Sequence, residues 1–160
     1  MAQVLPHLLV DGSNVLHAWP ETARLLRRDR NSARSQLIHA LAQLHDTREC
    51  RVTIVFDGRG ADLAVERPSD ETTFSILTTP AGVTADDLIE KLVVQGSAPT
   101  ACVVATADAA VRETVTAAGA HAIDPAELAT WIAGIVRNTR RHVRRMNQRT
   151  RQAFEFPPGG

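Results

Sequence analysis

Leu8-Leu9-Val10-Asp11-Gly12-Ser13-Asn14-Val15 is the stretch that decides the fold. Three apolar residues run directly into an acid and a glycine, a pattern typical of a buried strand that ends at a turn. We therefore place Asp11 at the carboxyl end of a central strand. In an open α/β sheet, ligands bind in the crevice beyond these strand ends.

The same pattern recurs twice along the chain. The apolar segment 52–56 precedes Asp57 and Gly58, and the segment 102–107 precedes Asp108. A further acidic pair, Asp86-Asp87, lies between these two segments in sequence. Because the carboxyl ends of parallel strands meet at one edge of a sheet, we expect these acids to converge there.

Acids gathered at one sheet edge predict a metal site. Two like charges about 4 Å apart repel by about 4 kcal/mol at an effective dielectric constant of about 20, so the cluster needs a cation or bound protons. Carboxylates without His or Cys partners suit Mg²⁺ or Mn²⁺, and a metal-bound water can attack a phosphodiester. Asn14 either orients Asp11, reaches the scissile phosphate or forms a turn. The predicted metal ligands are Asp11, Asp57, Asp86, Asp87 and Asp108.

Each acid also has a structural interpretation. An aspartate after a strand is often a turn former or a helix cap, and Asp57 is followed by glycine. Asp87 completes a Thr-x-x-Asp capping box at a helix start, where its charge also favours the helix dipole. Thr106 could cap the next helix by itself and leave Asp108 free for function. Asp124 we assign to helix capping alone.

Strands alternate with helices along the chain, which predicts right-handed crossovers, a parallel sheet and one three-layer α/β domain. The helix that contains Leu37, Leu41 and Leu44 begins at a cap on Asn31 or Ser32 and ends near 45–46. Residues 58–72 are polar and aperiodic and predict a mobile loop. The remaining predicted elements are a strand near the sheet edge at 74–78, helices at 85–95, at 108–118 and from 125 onward, and a last strand at 121–123.

Composition fits one soluble domain of 160 residues, with 44% hydrophobic and 22% charged residues. The sequence contains no apolar run of membrane-spanning length and no secretory signal pattern, so we expect a cytoplasmic protein. Cys50 and Cys102 lie beside or in predicted strands, without a second pair at metal spacing. We interpret both as small buried side chains.

The charge is unevenly distributed, although the chain has no net charge. Residues 137–151 contain seven arginines and no acid, whereas residues 1–136 hold eleven Lys and Arg against seventeen Asp and Glu. This split indicates an acidic body with a basic arm that binds a polyanion. The helix from Pro125 is expected to continue into this arm, and 156–160 to be a disordered tail.

Four motifs in this order resemble the NYN domains, relatives of the PIN ribonucleases, and in particular the bacterial YacP-like branch. The resemblance covers about residues 5–135. The motifs are Val10-Asp11-Gly12-Ser13-Asn14-Val15, Val55-Phe56-Asp57-Gly58, Thr84-Ala85-Asp86-Asp87-Leu88-Ile89-Glu90 and Val104-Ala105-Thr106-Ala107-Asp108.

The resemblance implies a PIN-like, Rossmannoid parallel sheet of about five strands flanked by helices. It places an NYN domain at 1–136 and an Arg-rich helical extension with the tail at 137–160. It implies an endoribonuclease that cleaves single-stranded RNA with a water activated by Mg²⁺ or Mn²⁺. Asp11 and Asp86 match the family's metal ligands best, Asp108 next and Asp57 less consistently. The predicted catalytic set is Asp11, Asn14, Asp86 and Asp108.

The arginines fit the same partner, since contacts to phosphates give salt-dependent affinity that is blind to sequence. The RNA could be mRNA, rRNA or tRNA, and the ribosome is a candidate partner. The predicted RNA-binding residues are Arg24, Arg27, Arg28, Arg137, Arg140, Arg141, Arg144 and Arg145.

Two other classes of function compete with the nuclease. One is a non-catalytic RNA-binding module that uses the arginine arm, because fold membership alone does not establish catalysis. The other is a phosphotransfer or phosphatase domain. A dehalogenase-type phosphatase needs an aspartate where this chain has Ser13, and a receiver domain needs a lysine after its last strands, whereas the single lysine is Lys91 within a helix.

Overall fold

The computed structural model describes residues 4–69 and 71–154, and within them it contains one six-stranded sheet and six α-helices. The strands are β1 (His7–Asp11), β2 (Arg51–Phe56), β3 (Ala64–Glu66), β4 (Phe74–Thr78), β5 (Cys102–Ala105) and β6 (His121–Ile123). The helices are α1 (Gly12–Ala18), α2 (Pro20–Leu26), α3 (Arg30–Thr47), α4 (Ala85–Val94), α5 (Ala109–Ala117) and α6 (Pro125–Phe154). A short 3-10 helix precedes β5 at Pro99–Ala101.

The strand order is β3-β4-β2-β1-β5-β6, and all neighbours pair in parallel except β3 and β4. β1 lies between β2 and β5, so the direction of strand progression reverses beside it. Such a reversal opens a crevice at the carboxyl ends of the central strands. The α/β class and the helix-flanked, mostly parallel sheet are therefore confirmed, and Asp11 ends the central strand.

The strand count differs from the expected five because residues 64–66, predicted within a mobile loop, form β3 at the sheet edge. β3 pairs antiparallel with β4 through its backbone, and all three of its residues are exposed. With no buried side chain, β3 leaves no apolar alternation for a sequence pattern to reveal.

Two apolar layers enclose the sheet. Leu8 and Val10 of β1 face the cluster that includes α1, α3 and α6, whereas Leu9 faces the cluster formed with α4 and α5. Leu9 and Val10 are completely buried. This alternation at successive residues of β1 is what a central strand covered on both faces requires.

Helix α1 was not predicted. It begins at Gly12, directly after β1, and Asp11 is its N-cap. The cap of α3 also differs from the prediction, because Asp29 accepts from the Asn31 amide at 3.0 Å and from the Ser32 hydroxyl at 2.6 Å.

Helix α6 is continuous from Pro125 to Phe154, about 45 Å at 1.5 Å per residue. Its first half packs on the body through Leu128 and Ile135, and Asp124 accepts from the Glu127 amide as predicted for a cap. No break in the helix falls at residue 136. The predicted disordered tail at 156–160 lies outside the described residues.

Among the residues that the structure describes, none of the helices combines the length and the apolar character needed to cross a membrane.

Candidate active site

Asp11 is the buried acid of the site, with 4% of its surface exposed at the end of β1. Its Oδ1 accepts from the Asn14 amide at 3.4 Å, which caps α1. Its Oδ2 accepts from the Thr106 hydroxyl at 3.3 Å, which joins β1 to the loop that follows β5. Both carboxylate oxygens are therefore fixed by hydrogen bonds.

Asp57 joins the end of β2 to the start of α4. Its Oδ1 accepts from the Ala85 amide at 2.7 Å, across 28 positions of the chain. Thr84 caps the same helix by accepting from the Asp87 amide at 3.1 Å, as the capping box predicts. These two hydrogen bonds hold the first turn of α4, and with it Asp86, over the carboxyl ends of the central strands.

Asp86 lies within hydrogen-bonding reach of Asp11, and the two carboxyl groups perturb each other. Burial, then the hydrogen bond to Asp86 and the negative charge of Asp86, raise the pKa of Asp11 to about 7. The Asn14 amide and the Thr106 hydroxyl act in the opposite direction by donating to the ionised form. Asp11 is therefore partly protonated near neutral pH, and a cation bound beside it would favour its ionised form.

Asp108 has a structural role that the sequence analysis assigned to Thr106. Asp108 is the N-cap of α5, where its Oδ1 accepts from the amides of Ala110 and Val111 at 2.9 and 3.2 Å. Thr106 is completely buried and instead bridges the site, because it donates to Asp11 and accepts from the Asp108 amide at 3.1 Å.

Asn14 connects the same loop to α1. Its Oδ1 accepts from the Ala107 amide at 2.8 Å, across 93 positions of the chain. Together with Thr106, Asn14 thus ties the loop that carries Asp108 to the strand end that carries Asp11. The contact makes Asn14 a positioning residue; a direct role toward a phosphate stays a prediction.

The structure brings together Asp11 and Asp86, while Asp57 and Asp108 lie at neighbouring strand ends and use one oxygen each on backbone amides. Asp87 is exposed on the first turn of α4. Within residues 4–69 and 71–154, no group of three or more His, Cys, Asp or Glu side chains is placed to hold a metal ion by itself. The ligand roles of Asp57, Asp87 and Asp108 stay predictions.

An Asp11–Asp86 pair nevertheless fits a magnesium-type ion. Mg²⁺ is usually bound through one or two carboxylates, with waters and substrate phosphates completing its octahedron, rather than by a cage made entirely of protein. The donors are hard oxygen ligands, as Mg²⁺ and Mn²⁺ prefer. The repulsion that raises the pKa of Asp11 is the unfavourable interaction that a divalent cation would remove.

Both Asp-Gly sequences were predicted as turns, and the structure gives each glycine a packing reason. A Cβ on Gly12 would lie 2.5 Å from the ring of Phe56, so the start of α1 packs directly on the end of β2. A Cβ on Gly58 would collide with the backbone carbonyl oxygen of Thr79. Neither glycine has a positive φ. Close approach, and not turn conformation, requires them.

Thr106 is the residue that the sequence analysis missed as part of the site. Its position two residues before Asp108, in a Thr-x-Asp segment after an apolar strand, was the available signal. A role as the cap of the following helix explained that segment equally well, and only the contact between Thr106 and Asp11 distinguishes a helix cap from a residue of the site.

The predicted RNA-binding arginines lie on two surfaces. Arg24, Arg27 and Arg28, on α2 and the turn after it, line a surface depression with Gln36 of α3. Those of α6 are all exposed, and no acid follows Glu127 before residue 155. They are Arg137, Arg140, Arg141, Arg144 and Arg145.

A mostly parallel α/β sheet with acids at its switch point is the architecture of a PIN-like domain. The sequence matches the YacP-like NYN domain family over residues 8–156. The chain therefore belongs to this family, whose kinship with PIN-like nucleases indicates a nuclease-like, RNA-related function.

Similar proteins from Bacillus subtilis support this family assignment. The chain is 31% identical over 140 residues to the YacP protein of strain 168, covering 87% of this chain and 82% of that protein. The crystal structure of Rae1 (YacP) with a W164L substitution superposes with a TM-score of 0.75 at 29% identity, over 90% of this chain and 85% of that one. A second crystal structure of Rae1 (YacP) gives a TM-score of 0.72 at 29% identity, over 91% and 84%.

Proposed function

We propose that this protein is a divalent-metal-dependent endoribonuclease that cleaves single-stranded RNA. The observation that carries the proposal is the Asp11–Asp86 contact at the switch point of the sheet, in a chain of a PIN-like family. A buried acid held against a second acid is unfavourable for the fold, and such pairs cluster at functional sites, where a bound cation would offset their repulsion.

Asp11 and Asp86 would hold Mg²⁺ or Mn²⁺. When bound, such an ion supplies an activated water and stabilises the negative charge that develops on the phosphate. Thr106 and Asn14 keep Asp11 and the Asp108 loop in register through their hydrogen bonds. Asp108 caps α5 with Oδ1, and its other oxygen would bind a water or the ion.

Cleavage of a labelled single-stranded RNA in the presence of Mg²⁺ or Mn²⁺ tests the proposal. We expect Asp11→Asn and Asp86→Asn each to lower kcat by at least about 10²-fold, since charge at the reacting centre is worth about 3 kcal/mol or more. The exposed Asp62→Asn removes the same charge from the loop before β3 and serves as the matched control. Cleavage that both site variants retain at the wild-type rate contradicts the proposal.

A non-catalytic RNA-binding module is the second candidate, and the exposed arginines of α6 favour it. It predicts RNA binding that does not change when the aspartates are replaced. It also predicts that binding weakens when the five exposed arginines are replaced by Gln, namely Arg137, Arg140, Arg141, Arg144 and Arg145. Filter binding over a range of salt concentrations separates the two candidates, because removing one phosphate contact lowers the salt slope by about 0.7 for single strands. Strong binding by wild type with no cleavage under any metal supports the module.

A further inference from the structure

A groove of about 320 Å³ opens beside the acid pair and is not used by the roles assigned so far. Its walls come from α1, from the start of α3 and from the segment after β2. The residues that line it include Arg30, Arg34, Phe56, Asp57 and Arg59. Ser13 also lines the groove, and Ser13 follows Asp11 by two residues in the sequence.

Three arginines give the groove a positive charge. Arg30 and Arg59 are exposed, and Arg34 is half-buried. The negative groups nearby are Asp57 in the lining and Glu66, which pairs with Arg34. Three arginines against these two acids leave the groove with a net positive charge.

Arg34 is held in place before any ligand arrives. Its guanidinium carbon lies 4.6 Å from the centroid of the Phe56 ring, and its Nη2 donates to Glu66 Oε2 at 3.3 Å. A guanidinium has five N–H donors, and in the described residues this hydrogen bond is the one that its side chain makes. The remaining donors suit a phosphate, which a planar guanidinium binds through two parallel hydrogen bonds.

The size and position of the groove fit one nucleotide of a strand that passes the acid pair. A volume near 300 Å³ is the lower range of small-ligand pockets. Beyond Arg30, the turn after α2 leads to the depression lined by Arg24, Arg27 and Arg28, where one acid, Glu21, faces three arginines. The further phosphates of a bound strand would therefore contact positive charge in this depression, whereas a single free phosphate would not reach it.

We propose that the groove binds the sugar-phosphate backbone of single-stranded RNA at the nucleotide next to the cleaved bond, with its phosphate on Arg34. This inference rests on the proposed function for the position of cleavage, but binding can be tested without it. The contacts are to backbone, so the groove takes any base.

The test uses the full chain and a fluorescein-labelled oligouridylate of about twelve nucleotides. Fluorescence anisotropy in EDTA, where metal-dependent cleavage is absent, gives the dissociation constant and its salt dependence. We expect Arg34→Gln to weaken binding about tenfold and Arg59→Gln about threefold, each with a salt slope about 0.7 smaller. Arg51→Gln is the matched control, because Arg51 begins the same strand whose other end forms the groove; it should change the dissociation constant less than twofold.

Arg59→Gln guards against a folding artefact, since Arg59 is exposed and has no part in the Phe56 stack. Wild-type affinity and salt slope in both groove variants overturn the proposal, and so does equal weakening by Arg51→Gln or a wild-type chain that does not bind. Competition by inorganic phosphate as effective as by the oligouridylate, phosphate for phosphate, would assign the groove to a free anion and also overturn it. Absence of cleavage with metal, when the binding results are as expected, refutes the nuclease and leaves the groove assigned to RNA.

Discussion

Replacing Asp11 by Asn should stabilise the folded protein while abolishing cleavage. Asp11 has 4% of its surface exposed and lies beside Asp86, and the pKa of its carboxyl is raised from 3.8 to about 7. An amide of the same shape removes the buried charge. Its oxygen can still accept from the Asn14 amide, and its NH₂ can donate to the Thr106 hydroxyl, which reverses the direction of the second hydrogen bond.

The magnitude follows from the pKa. About three pKa units correspond to about 4 kcal/mol between the charged and neutral forms. Water at the rim of the site screens part of this energy, so we expect the free energy of unfolding to rise by about 1–3 kcal/mol at about pH 8. For a domain of this size that is an increase in Tm on the order of 5 °C.

The sign of the pH dependence is fixed as well. Between about pH 4 and pH 7 the folded chain keeps the Asp11 proton that the unfolded chain has released, so the contribution of Asp11 to stability falls as the pH rises through this window. The advantage of Asp11→Asn should therefore be small near pH 4 and reach its full size above pH 7.

Urea unfolding of both proteins in EDTA, at about pH 4.5, pH 6 and pH 8, measures the difference directly. Titrating groups away from the acid pair contribute equally to wild type and variant and cancel. Asp62→Asn should show no such pH-dependent gain, because Asp62 is exposed. A variant less stable than wild type at pH 8, or a gap that does not grow with pH, would refute the electrostatic reasoning about the acid pair.

Three further results are expected. Gly58→Ala should lower the free energy of unfolding by about 1–3 kcal/mol in urea titrations, because its Cβ meets the Thr79 carbonyl, whereas Gly134→Ala, with open space around its Cβ, should not. Burial and the charge of Arg51 lower the pKa of His7 to about 4, so His7 should make unfolding easier as the pH falls from about 6.5 to about 4, opposite to the contribution of Asp11; urea titrations should therefore show His7→Gln gaining stability relative to wild type over this window. Mn²⁺ at a hundredfold excess over its dissociation constant should stabilise wild type by about 2.7 kcal/mol in thermal unfolding and leave Asp11→Asn unchanged.

The strands at the centre of the sheet could be predicted because their side chains are apolar on both faces. β1, β2 and β5 are buried almost throughout, so their sequences are continuous apolar runs. Helix α1 could not be predicted in this way. It has seven residues, begins at a glycine and depends on the Asp11 cap and on packing against Phe56. Such a helix is stabilised by its tertiary contacts and has no periodic pattern of its own.

The candidate site was predicted as a set of acids at one sheet edge, but not as a pair. The carboxyl ends of parallel strands meet at one edge of the sheet, and the sequence shows an acid after each of three apolar strands. Asp86 reaches Asp11 by another route, through the hydrogen bond of Asp57 to the Ala85 amide. That contact joins two segments that are 28 positions apart, and their separation in the sequence does not tell how close they lie in the folded chain. The same is true of Thr106, whose bond to Asp11 spans 95 positions.

The acids of this site hold the fold together at the places where they would bind a ligand. Asp11 caps α1, Asp57 holds the start of α4 and Asp108 caps α5, so these three acids offset their charge by accepting from backbone amides. Amide donors at a helix N-terminus stabilise an ionised carboxylate by about 0.3–1 kcal/mol or more. These contacts let a sheet edge carry several acids without a permanent cation. The remaining repulsion acts on Asp11, which is the most deeply buried of these acids. A bound ion would reduce that repulsion most at Asp11.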